Sequence, residues 1–154
     1  MGFFRKAYSV VGAILLLDIV AQFFIIGAAV FTIFSEASGG TAAQKALDDS
    51  GVYFAAHAIN GAGLAILIIL LVIFAFGARY PWRTTGLTAL LFLLLAVQSV
   101  LAHTGIPLVS SIHVVNGLVI LGLAGFLTRS NWAFGARPAE PVAGEPMATV
   151  GSST

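Results

Sequence analysis

Two short segments carry the residue types best suited to chemistry. His57-Ala58-Ile59-Asn60-Gly61 and His113-Val114-Val115-Asn116-Gly117 repeat the pattern His-x-x-Asn-Gly. On a helix, Asn at i+3 and Gly at i+4 share the histidine's face, so each copy presents an imidazole, an amide and bare backbone on one side. Haem b is the ligand this pattern suits best. Its iron takes two axial imidazoles on opposite faces of a flat ring, and a glycine one turn away removes the side chain that would meet the porphyrin. His57 and His113 are therefore the expected metal ligands. Asn60, Gly61, Asn116 and Gly117 complete the expected cofactor pocket, with the two asparagines fixing propionates or neighbouring polar groups, or else bonding between helices. Zinc fits less well, because a structural site wants four ligands and the chain has no cysteine and only one further histidine.

Three further polar positions fall in apolar surroundings. Gln98, followed by Ser99, lies at a depth close to that of the histidines, where it can orient a ligand from behind. Asp18, with Gln22 one turn later, sits well inside an apolar run, where a charged carboxylate costs at least ~2.5 kcal/mol. It is expected to face other helices, either as a proton relay or quinone contact or as a helix-pairing group. His103, beside Thr104 and Gly105, is expected at an interface, with contact to a propionate or proton transfer at the outer surface as the functional alternative.

The elements that must position these residues are legible in the hydropathy. Hydrophobic residues make up 59% of the 154 and charged residues 8%, against roughly 25% charged in soluble domains. Four apolar runs, at roughly 9–34, 52–77, 85–103 and 107–128, approach or exceed the ~20 residues needed to cross ~30 Å of hydrocarbon. Each must be a helix, since an isolated span satisfies its own backbone hydrogen bonds. The apolar run of the first is much longer than the core of a cleaved signal peptide, so it reads as an anchor. The connection at 35–50 is expected as an outer loop holding a short surface helix, and Arg79–Arg83 and Thr104–Pro107 as tight turns. From Ser130 the chain turns to Pro, Ala, Gly, Ser and Thr, which predicts a disordered tail.

The expected architecture is all-α: an integral membrane four-helix bundle over residues 1–129, followed by a cytoplasmic tail over 130–154. Arg5, Lys6, Arg79, Arg83, Arg129 and Arg137 fall on one side of the four spans, and Lys45 with Glu36, Asp48 and Asp49 on the other. The excess of positive charge predicts a cell-membrane protein with both termini cytoplasmic. The second and fourth spans run in the same direction with a histidine at matching depth, roughly one turn below the outer surface. This makes the fold a pseudo-twofold repeat of helix pairs. A bundle diagonal of roughly 14 Å accommodates an imidazole–iron–imidazole sandwich better than adjacent helices do.

The order of a first span, an outer loop, His57 at the outer start of the second span, Gln98 late in the third and His113 at the outer start of the fourth resembles one four-helix half of haem A synthase. Small uncharacterised four-helix membrane families share this order. The resemblance covers roughly residues 7–128 and implies that His57 and His113 are the axial pair of one haem. The catalytic half of that family carries a glutamate three residues before its first histidine and an arginine just after it, where this chain has Phe54 and Ala58. The family's outer-loop cysteine pair has no counterpart here. The resemblance therefore implies the cofactor-holding half, or a small diverged cytochrome b.

The function expected from these readings is that of a haem-b-binding membrane protein of bis-histidine type, serving electron transfer or acting as a redox subunit. A non-haem structural or assembly subunit of a membrane complex and a quinone-linked oxidoreductase are the alternatives. The expected partners are the lipid bilayer, a redox partner or quinone, and further copies or other chains in an oligomer. A net charge of +1 gives no footing for nucleic acid.

Overall fold

The computed structural model describes residues 2–135. Four helices make up nearly all of it: α1 Gly2–Ser38, α2 Ala43–Gly77, α3 Trp82–Ala102 and α4 Pro107–Ser130. All four are long and apolar enough to cross a membrane. The exterior is as apolar as the interior, with Leu17, Phe24, Phe31 and Ile59 all more than 70% exposed. Such a surface is stable against hydrocarbon and not against water, so the chain is a multi-pass membrane protein.

Local sequence sets the helix ends. α1 stops where Gly40 turns to φ 85°, with Thr41 N–H donating to Glu36 O and Gly40 N–H to Ala37 O. This is a Schellman closure, in which a left-handed residue satisfies the last carbonyls. α2 closes in the same way through Arg79 at φ 52°, with Tyr80 N–H donating to Ala75 O and Arg79 N–H to Phe76 O. Pro107 opens α4, a position where its missing N–H costs nothing.

The first connection is shorter than expected. The Gly39-Gly40 turn absorbs it, and residues 43–50 continue into α2, so there is no separate surface helix among the described residues. Lys45 pairs with Asp49 and Gln44 with Asp48 along this stretch, and Ala46 and Ser50 are buried. At 1.5 Å per residue α1 and α2 are about 55 and 52 Å long, against about 31 and 36 Å for α3 and α4, so their hairpin reaches past the α3–α4 turn. His57 therefore lies much deeper within its helix than the expected single turn.

Packing runs around a ring: α1 against α2, α2 against α3, α3 against α4 and α4 against α1. Neither α1 and α3 nor α2 and α4 bring Cα atoms within 8 Å, so these pairs form the diagonals. The α1–α4 side closes through small residues, as membrane helices do when backbones approach. A Cβ on Gly12 would lie 2.5 Å from Thr128 Oγ1. Leu15, Ile19, Leu64, Ile68, Leu91, Ile120 and Leu127 fill the centre. At the end that holds Gly2 and Ser130, Tyr8 and Thr88 share a buried hydrogen bond of 2.9 Å.

Ser130 completes α4, and the residues after it fold back under the bundle, where Ala133 N–H donates to Ser9 Oγ at 2.9 Å. The rest of the segment expected as a tail, from residue 136, lies outside the described residues.

Candidate functional site

The two His-x-x-Asn-Gly segments face each other across the α2–α4 diagonal. The His57 and His113 rings have centroids 6.2 Å apart and planes inclined at 56°. With metal–nitrogen bonds of about 2 Å, two imidazoles on opposite sides of one metal have centroids about 6 Å apart. The match in depth follows from the rings themselves, although the helix starts differ.

His113 is held in one tautomer. Its Nδ1 lies 2.9 Å from the main-chain carbonyl of Gln98, which can only accept, so the proton resides on Nδ1 and the Nε2 lone pair is left for a ligand. A backbone carbonyl behind a histidine is the usual support of a metal-binding imidazole. His57 is less settled. Its Nδ1 is buried and has no partner, and Gln22 Oε1 is buried and unpartnered as well. Gln22 Nε2 donates to the main-chain carbonyl of His57 at 3.1 Å, so both unpaired atoms belong to one contact between α1 and α2.

The Gln98 side chain also bonds to α4. Its Oε1 accepts from Asn116 Nδ2 at 2.6 Å, and Asn116 also donates to Leu94 O at 2.9 Å. Asn60 reaches α1, where its Nδ2 lies 3.4 Å from Asp18 O, a long contact. The two asparagines thus bond between helices, the role expected as the alternative to contacting a cofactor.

The glycines are not bordered by empty space, which corrects the expectation of a bare slot. A Cβ on Gly61 would lie 3.6 Å from Gln22 Nε2, and one on Gly117 would lie 3.3 Å from Gln98 Nε2 and 3.5 Å from Phe23 Cζ. Each glycine receives the amide of a glutamine from the preceding helix. Gln22 was read from the sequence only as Asp18's neighbour. The signal that marks it is its place in the C-terminal half of the helix before a His-x-x-Asn-Gly segment, the place Gln98 holds before the other.

Asp18 and His103 are not brought to the histidine pair. Asp18 faces α2, as expected, with its carboxylate 3.9 Å from where a Cβ on Gly63 would lie, but it does so on the flank of a shallow groove of about 530 Å³ between α1 and α2 that Leu17, Asn60 and Ile66 also line. Leu17 and Ile66 are 72% and 61% exposed, so the groove opens toward lipid. His103 is exposed at the end of α3, and its Nδ1 bonds back to Ser99 O of its own helix at 2.7 Å.

Among the described residues no group of three or more His, Asp or Glu side chains converges. The donor set is two imidazoles, too few for closed tetrahedral zinc and the right number for two axial positions.

A family of unknown function, DUF6220, matches residues 22–105, more than half of the chain. The matched stretch takes in Gln22, His57, Asn60, Gly61 and Gln98 and ends before His113. No curated protein and no solved structure matches the chain, so the resemblance to haem A synthase rests on the order of spans and histidines alone.

Proposed function

The chain belongs to the DUF6220 family, and from that premise we propose that it is a bis-histidine haem-b protein of the cell membrane, serving electron transfer or as a redox subunit. The carrying observation is the approach of His57 and His113 to 6.2 Å from diagonally opposed helices. The fixed tautomer of His113 and the unpartnered Nδ1 of His57 support the same reading. Haem b, when bound, would supply one-electron chemistry.

In this reading the chain's own groups do four things. His57 and His113 would hold the haem iron through their imidazole nitrogens. The Gln98 carbonyl holds the His113 proton on Nδ1, away from the ligating nitrogen. Gln22 turns its free Oε1 toward His57 Nδ1 and fixes the second tautomer. Gln22, Gln98 and Phe23, which cover the two glycines, rotate aside to leave the ring its space, as unbranched or aromatic side chains with free χ angles can. Equivalent Gln, His and Gly residues of the two helix pairs would then border one cofactor.

The cytoplasmic placement of both termini belongs to the same proposal. Arg5, Lys6, Arg79, Arg83 and Arg129 lie at the end of the bundle that holds Gly2 and Ser130, and Lys45 with Glu36, Asp48 and Asp49 at the other.

A second reading has its own observation. His113, Gln98 and Asn116 satisfy one another within the protein, as interhelical polar contacts do in a structural or assembly subunit without cofactor. Haem content of His57→Ala and His113→Ala separates the two. The haem reading expects each variant to lose haem or turn high-spin while still reaching the membrane. Haem content equal to wild type in both would overturn it.

A further inference from the structure

The end of the bundle that holds Gly2 and Ser130 carries a second site, independent of the histidines. A cavity of about 520 Å³ lies between the start of α1, the α2–α3 turn and the residues after α4. Arg5 and Lys6 line it together with Tyr80, Asn131 and Trp132.

The site is built from fixed parts. Ser9, fully buried, donates to Asn131 O at 3.2 Å and receives the N–H of Ala133, so the strand of chain after α4 is pinned against α1. Tyr80 Oη donates to the same carbonyl at 3.3 Å. The Arg5 guanidinium lies 5.3 Å above the Tyr80 ring, and Lys6 Nζ 5.9 Å from the centre of Phe134, so both cations are held by aromatic faces. Among the described residues this end of the bundle carries five cationic side chains and no carboxylate side chain.

An anion is the ligand this charge selects, and the surroundings select its kind. Phe3 is 73% exposed, Trp82 79% and Trp132 49%, at the level where aromatic residues mark the boundary between headgroups and hydrocarbon. A molecule with an anionic head and apolar chains meets both the cavity and its flank. We propose that this cavity is the headgroup site of an anionic phospholipid, whose phosphate is bound by Arg5 and Lys6.

The test measures thermal stability of the full-length protein in a zwitterionic detergent, titrated with phosphatidylglycerol, phosphatidylcholine or inorganic phosphate. Phosphatidylglycerol should stabilise at concentrations where the other two do not. Arg5→Gln/Lys6→Gln should raise the phosphatidylglycerol concentration needed by about 30-fold, and Arg83→Gln, a cation at the same end but outside the cavity, should change it little. Lys6→Gln alone alters an exposed residue and should show part of the shift if the double variant does not fold. An equal shift in Arg83→Gln would reduce the effect to diffuse attraction and overturn the proposal. Stabilisation by inorganic phosphate as strong as by phosphatidylglycerol would overturn the lipid assignment. A phosphatidylglycerol response that emerges only in Glu140→Gln/Glu145→Gln would give the site to the chain's own carboxylates and overturn it as well.

Discussion

Replacing Gly12 with alanine tests the contact that closes the ring of helices. The added carbon would lie 2.5 Å from Thr128 Oγ1, 3.2 Å from its Cγ2 and 3.3 Å from its Cβ. Thr128 cannot easily withdraw: it is β-branched, sits in the last turns of α4 and is only 6% exposed. Overpacking of this kind costs about 1–3 kcal/mol, because the two backbones must separate. Thr128→Ala removes the two nearest side-chain atoms but leaves the Cβ, so most of the penalty should vanish in that background. The assay is reversible unfolding in mixed micelles of the wild type, both single variants and the double variant. A coupling energy of about 1 kcal/mol or more is expected. A penalty for Gly12→Ala that is the same with threonine or alanine at 128 would refute the close approach of α1 to α4, and with it the diagonal that sets His57 opposite His113.

Three other outcomes follow from the geometry. A reporter active only outside the cytoplasm should signal from the Gly39-Gly40 turn and stay silent at the C-terminus; the reverse would invert the proposed orientation. Asp18→Leu should leave stability unchanged or raise it by up to ~2.5 kcal/mol, because the carboxyl lines a lipid-facing groove; a marked loss of stability would return Asp18 to the bundle. Gln98→Leu removes one bond to Asn116, which keeps Leu94 O as acceptor, and leaves the main-chain bond to His113 intact. It should cost about 0.6 kcal/mol in a membrane unfolding assay and keep any haem, and loss of haem without loss of fold would show that the side chain does more than pack.

The four spans were legible because run length encodes them directly, whereas the depth of His57 within its helix was not, since α2 begins well before its apolar run. Helix rotation was not legible either. α1 is apolar on all sides, so no polar stripe announces which face Asp18 presents, and the groove between α1 and α2 appears only when the helices are packed. The Gln22–His57 contact joins residues 35 positions apart on two helices, beyond the reach of any local pattern. The glycines were read for their missing side chains, but that reading could not show that amides of Gln22 and Gln98, with the Phe23 ring, approach them from neighbouring helices. The long α2 was hidden by its polar first turns, which resemble a loop until Lys45–Asp49 and Gln44–Asp48 are seen as pairs one turn apart.

The absorption spectrum of the full-length protein, purified from haem-sufficient cells in mild detergent and followed by a pyridine haemochrome assay, bears most directly on the central claim. The account predicts a low-spin b-type spectrum in both oxidation states, one haem per chain, retained in His103→Ala because that side chain bonds only to its own helix. Wild-type protein that accumulates in the membrane and remains colourless would contradict it.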